Sequence, residues 1–275
     1  MRRNLMMVLL LGLAAACAQN PPAASQKSST VAAPAPPQGK HPPAAKTQEE
    51  LAAYQAAAAL ATSDIGAAEK SADDFAAKYA DSELRSLLYS NLMQVLYRGG
   101  HEGKALEAGR KVLAIDPTHT QTLVMSAQII AERTKDTDLD RDEKFAEGLK
   151  YAETAINTID TGLLLRNDLT PEQVAGAKAW LISNAYSSMA FIEFLKKNYS
   201  AAEDHYKKSI DADPANPDPT NLLRLAVALD KQEKYAEALT YADKAIAAAD
   251  AGQMPDVSQL AKNEKKRLQD LTVKK

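Results

Sequence analysis

Lys144–Asp160 reads KFAEGLKYAETAINTID, and ninety residues later Lys234–Asp250 reads KYAEALTYADKAIAAAD, identical at nine of seventeen positions. Recurrence at this level marks an internal repeat. In the first copy Phe145, Gly148, Tyr151, Ala152, Ala155 and Ile156 fall on one helical face, and in the second Tyr235, Ala238, Tyr241, Ala245 and Ile246 do the same. A stripe this wide is more than one partner helix covers, so neighbouring units must stack to bury it. Ala dominates most windows and Gly is scarce, which favours helix because Ala loses least entropy on joining one.

Working outward, the same hairpin pattern returns. Thr47-Gln48-Glu49-Glu50 is a capping-box start for a helix to about Ala61, and Ser63-Asp64 opens a partner carrying Ala67, Ala68, Ala72, Phe75, Ala76 and Tyr79. A unit from Asp81 to Pro117 carries Tyr89, Leu92, Met93 and Leu96, a turn at Gly100, then Ala105, Val112 and Leu113. A unit from His119 to Asp160 has Leu123, Ala127 and Ile130, then about nine extra residues before Phe145, which belong in a loop between helices. Thr170-Pro171-Glu172-Gln173 starts a long helix reaching about Lys197, followed by Tyr199, Ala202, Tyr206 and Ile210. The last unit has Leu222, Leu225, Ala226 and Leu229 before Tyr235. Asp256 to Leu271 reads as a capping helix with Val257, Leu260, Leu268 and Leu271 inward.

This alternation of small and large residues resembles the tetratricopeptide repeat (TPR) family. The resemblance implies an all-α antiparallel helix-hairpin solenoid over 47–275 with a C-terminal capping helix. It also implies a concave surface, lined by the first helix of each pair, that takes a peptide or protein partner. On this chain that lining falls on Asn91, Gln94, Tyr97, Gln121, Gln128, Asn184, Phe191, Phe194 and Arg224. A clamp for a peptide's terminal carboxylate is not expected, because Gln94, Gln128, Phe191 and Val227 stand where that clamp has asparagine.

The N-terminus has Arg2 and Arg3, an apolar run from Leu5 to Ala16, and Cys17, the layout of a secretory signal peptide over 1–18. Leu13-Ala14-Ala15-Ala16-Cys17 resembles the lipobox of bacterial lipoproteins, with Leu one place early, which implies a lipid anchor on Cys17. Ordinary cleavage after Ala16 or Ala18 fits the same letters. The lack of Asp after Cys17 implies outer-membrane sorting, so the expected location is the periplasm or the outer membrane. From 19 to 46 the chain is rich in Pro, Ala, Ser and Gln and holds seven of the thirteen prolines, reading as a disordered tether. With Cys17 the only cysteine, no internal disulfide forms and packing alone must stabilise the fold.

Net charge is -3, and loss of Arg2 and Arg3 with the leader leaves 31 basic against 36 acidic residues, which argues against a nucleic-acid partner. The four histidines, His41, His101, His119 and His205, lack metal-site spacing, and no Gly-rich phosphate loop or nucleophile elbow occurs. No catalytic residues, no cofactor, no metal and no small-molecule substrate are expected. Asp136-Thr137-Asp138-Leu139-Asp140-Arg141-Asp142 with Glu147 partly imitates a calcium loop, but Arg141 replaces the turn glycine and Glu143 the apolar residue. An acidic loop capping the helix of Phe145 is the expected reading. Two alternatives stay open beside the interaction scaffold: a structural subunit of an envelope assembly that uses the array edges, and an ion or ligand receptor working through 136–147.

Overall fold

The computed structural model describes residues 39–61, 64–166 and 168–273. The leader, Cys17 and most of the Pro-rich segment lie outside the described residues. The described residues form helices in antiparallel pairs: α1 (Gln48–Leu60) with α2 (Ile65–Lys78), α3 (Leu84–Arg98) with α4 (Glu102–Ile115), and α5 (Thr120–Arg133) with α6 (Arg141–Asn157). A short turn α7 (Ile159–Gly162) follows, then α8 (Pro171–Leu195) with α9 (Tyr199–Ala212), α10 (Pro219–Asp230) with α11 (Tyr235–Ala251), and α12 (Pro255–Val273) against α11 and α10. The architecture is the expected all-α helix-hairpin solenoid with its terminal cap. None of the described helices is long and apolar enough to cross a membrane.

Local signals set the helix starts. Thr47 Oγ1 accepts the Glu50 amide at 3.1 Å, while Glu50 reaches one residue further back than a capping box requires, to the Lys46 amide at 2.6 Å. Thr170 and Gln173 close a full capping box ahead of Pro171. Asp64 and Asp218 cap α2 and α10 through their carboxylates.

Four of the turns between helices share one geometry. Gly100, Lys197, Glu233 and Gln253, after α3, α8, α10 and α11, have φ of 77°, 63°, 59° and 53°. In each, the next amide bonds back five residues: His101 to Leu96 at 2.9 Å, Asn198 to Glu193 at 2.8 Å, Lys234 to Leu229 at 3.0 Å and Met254 to Ala249 at 2.8 Å. That is the Schellman closure, which satisfies the last carbonyls of each of these helices and reverses the chain into the next.

The core runs along the array as linked clusters. Phe75, Leu88, Leu92, Met93, Leu96 and Val112 fill the first two pairs, Leu123, Ala152, Leu163, Leu181 and Ala185 the middle, and Tyr206, Leu225, Leu229, Ala238 and Leu268 the end. Ala105, Ala202 and Ala238 are fully buried where helices of a pair cross, as the pattern requires. Successive second helices are joined by ion pairs, Lys104–Glu69, Lys111–Asp73 and Arg110–Glu147.

Three details depart from the sequence reading. The extra residues before Phe145 divide between a seven-residue loop, 134–140, and an added turn at the start of α6. On α12 the buried face centres on Ser258, Ala261 and Leu268, because the small Ala261 lets the helix approach α10 and α11 closely; Leu260 faces away and is 51% exposed. Residues 39–46 of the Pro-rich segment are docked: Lys40 pairs in parallel with Leu164, its amide donating to the Leu163 carbonyl at 2.8 Å and its carbonyl accepting from Leu165 at 3.1 Å.

Candidate partner-binding groove

The first helices α1, α3, α5, α8 and α10 form one face of the array, and polar or aromatic contacts join neighbours along it. Asn91 Nδ2 donates to Tyr54 Oη at 3.3 Å, linking α3 to α1. Gln128 Nε2 donates to Tyr97 Oη at 3.2 Å and to Glu132 Oε1 at 3.0 Å, and Tyr97 Oη donates to Glu132 Oε2 at 3.4 Å, linking α5 to α3. Ser187 Oγ donates to Asn221 Oδ1 at 2.7 Å, and the Arg224 guanidinium lies 4.1 Å from the centroid of Phe191, linking α10 to α8. Stacking a guanidinium on a ring fixes its plane while leaving its N–H edge available.

Two depressions lie on this face. One, of about 10 Å³, gathers Gln128, Ala131, Glu132, Asn184, Ser187, Ser188, Phe191 and Arg224 from α5, α8 and α10. The other, of about 60 Å³, gathers Gln94 from α3 and His119 and Gln121 at the start of α5 with Pro42, Pro43 and Leu164–Arg166. Small-molecule sites usually enclose some ~300–1,000 Å³, so neither depression engulfs a ligand; both suit a partner laid across the surface.

Of the nine residues expected to line the groove, the structure brings Gln128, Asn184, Phe191 and Arg224 into one depression and Gln94 and Gln121 into the other. Tyr97 joins the first through Gln128, and Asn91 sits apart, bonded to Tyr54. Phe194 belongs elsewhere: its ring packs edge-on against Tyr199 at 5.4 Å, inside the α8–α9 hairpin and the C-terminal core cluster. The sequence reading missed Pro42, Pro43, Leu164 and Arg166. The run of three leucines, Leu163 to Leu165, in a connecting loop carries the sequence hint, and two of them, Leu163 and Leu165, are only 1% and 7% exposed.

His119 is 1% exposed and caps α5, its Nδ1 accepting the Thr122 amide at 3.3 Å. Burial pushes its pKa down to about 4 despite the pull of Asp116, so the ring is neutral and carries its proton on Nε2. Burial alone would raise Asp116, but the hydrogen bond and charge of Lys40 outweigh it and hold that carboxyl below its usual range. Glu203 is the other strongly shifted acid. Burial acts to raise its pKa, yet hydrogen bonds from Lys207, Lys234 and Gln232 bring it down to about 2. Those partners knit α9 to the α10–α11 turn, so the shift is that of an ion-pair network.

The acidic insert is neutralised by its own cations. Lys144 binds Asp138 and Asp140 at 3.0 and 2.9 Å, and Arg141 binds Asp136 and Asp142 at 3.3 and 3.2 Å. Asp140 stands at the start of α6 without a side-chain capping bond, because Lys144 takes its carboxylate. Glu147 turns instead to Arg110 and Tyr151. Among the described residues no cluster of three or more His, Cys, Asp or Glu side chains is arranged to hold a metal.

No protein-family model and no curated protein matches the chain. Among solved structures it is similar to a crystal structure of MamA protein, at 13% identity and a TM-score of 0.54, covering 74% of this chain and 94% of that one. It is similar also to MamA 41-end from Desulfovibrio magneticus RS-1, at 12% identity and a TM-score of 0.53, covering 75% and 98%. A thermophilic TPR protein in Thermus thermophilus aligns at 14% identity and a TM-score of 0.48, covering 78% and 98%. At such identities the likeness to the two MamA structures is one of fold.

Proposed function

We propose that this chain is a non-enzymatic interaction scaffold of the bacterial cell envelope, exported and anchored through Cys17, that takes an extended segment of a partner protein on the face of its first helices. The observation carrying the reading is the convergence of Gln128, Asn184, Phe191 and Arg224, from three consecutive first helices, on one shallow depression. Amide side chains there match the donors and acceptors of a peptide backbone, and the stacked Arg224 offers a fixed fork for a carbonyl or carboxylate.

A photo-crosslinking residue placed at Gln128 or Arg224 in the native host tests this against Glu153, which is exposed on α6. One discrete adduct from the two groove positions and none from Glu153 is expected, and Arg224→Glu should reduce the adduct formed at Gln128. Adducts from Glu153 alone would overturn the groove reading in favour of an assembly subunit that uses its edges. The anchor is tested separately, by the intact mass of the protein extracted from its membrane.

A further inference from the structure

The docked segment 39–45 lies across part of the face that the proposed function assigns to a partner. Its polar hold consists of the two backbone bonds to 163–165 and the Lys40 ammonium, which donates to Asp116 Oδ1 and, at 2.6 Å, to Thr118 Oγ1, while Ala45 packs against the first core cluster. Pro42 and Pro43 then share the 60 Å³ cavity with Gln94, His119 and Gln121. Three buried atoms of those residues, Gln94 Oε1, Gln121 Oε1 and His119 Nε2, find no partner among the described residues.

Proline explains the mismatch. Pro42 and Pro43 line the same cavity as the two glutamine oxygens, yet neither has an N–H to give, whereas an ordinary residue at whichever of the two positions faces the cavity would bring a donor. The segment therefore fills space without completing the hydrogen bonds beneath it, and buried groups left unmet weigh against the docked state. Any peptide of similar course with ordinary residues at those two places supplies what this one withholds.

We propose that residues 39–45 are a displaceable occupant of the groove, keeping the place of an extended partner segment that bears a lysine or arginine for the Asp116–Thr118 niche and a backbone N–H facing the cavity that Pro42 and Pro43 line here. The inference rests on the groove reading above and adds to it the partner's chemistry and an internal competitor. Occupancy by the chain's own segment lowers apparent affinity by the fraction of molecules that are open.

Gly39 provides a clean way to eject the segment. A Cβ there would lie 2.4 Å from Leu165 Cδ1 and 2.8 Å from the Leu163 carbonyl oxygen, so even alanine forces it away without altering any charge. The probe is a fluorescein-labelled peptide of Gly39–Lys46 carrying Pro42→Ala and Pro43→Ala, titrated by polarisation into the full chain. Gly39→Ala and Lys40→Ala proteins should each bind it about tenfold tighter than the unaltered protein. The same peptide with Lys40→Ala, or with both prolines restored, should bind several-fold more weakly. Saturating peptide should also speed tryptic cleavage after Lys40 in the unaltered protein.

Equal affinity of all three proteins, or no binding to either variant while its helix content is intact, would overturn the proposal. A lowered unfolding temperature with unchanged peptide affinity would do the same, reducing the segment to a structural strap. If these tests fail while crosslinks at Gln128 and Arg224 persist, the groove reading survives and only the displacement is lost.

Discussion

Helices α6 and α11 carry the two copies of the repeated motif, yet the array treats them differently. In α11 the small residue at the fifth position of the motif is Ala238, fully buried against α10. In α6 it is Gly148, where a Cβ would lie 2.8 Å from Ile192 Cδ1 and 2.9 Å from Ile130 Cγ2. The cause is α8, which at 25 residues is much the longest helix and packs on both α5 and α6. Phe145 is 1% exposed while its counterpart Tyr235 is only partly buried, and Glu147 is held by Arg110 at 2.7 Å while its counterpart Glu237 lies 3.9 Å from Lys207. A shared repeat therefore fixes the helix and its inward face; what each position is worth depends on the next element along.

The largest difference should appear at the motif's aromatic position. Phe145→Ala should lower stability by about 3–5 kcal/mol in urea unfolding, against roughly 1–2 kcal/mol for Tyr235→Ala, and equal losses would break the comparison. Next comes a pH effect confined to the hairpin opened by His119, since α10–α11 contains no histidine. The imidazole titrates near 6.5 when unfolded and near 4 when folded, so the unfolded state binds the proton first as pH falls. Its contribution is intact above pH 6.5 and is lost progressively down to pH 4, by up to about 3 kcal/mol. His119→Asn, which keeps a capping acceptor, should flatten that slope in unfolding midpoints measured from pH 7 to 4, the remainder coming from His205, which burial also holds low, and from paired carboxylates such as Glu203.

At the small position, Gly148→Ala should cost about 1–3 kcal/mol through overpacking against Ile192 and Ile130. Ala238→Gly should cost about 1 kcal/mol, mostly from helix propensity. A stabilising Gly148→Ala would show that α8 yields easily. The smallest contrast concerns the glutamates: Glu147→Gln should cost below about 1 kcal/mol and lose that effect in high salt, and Glu237→Gln should cost nothing measurable.

The hairpins were legible because their signals are local. Caps at Thr47, Asp64 and Thr170, the proline at Pro171 and the spacing of Tyr89, Leu92, Met93 and Leu96 each act within a turn or two of the chain. Lys40–Pro43 could not be read this way, because nothing within that segment can form a core. Its binding site is made by Asp116, Thr118 and the 163–165 backbone, far off in sequence. The groove was partly legible: helix register placed Gln128, Asn184, Phe191 and Arg224 on one face, but register alone cannot tell an aromatic facing the groove from one turned into its own hairpin, as Phe194 is.

The left-handed corners carry a practical consequence. Glycine occupies only the one after α3; Lys197, Glu233 and Gln253 hold side chains in a backbone region that disfavours them by about 1–2 kcal/mol each. Exchanging Lys197 and Gln253 for glycine offers a reserve of heat resistance at corners that do not line the depression of Gln128 and Arg224, so durability and recognition can be engineered one without the other.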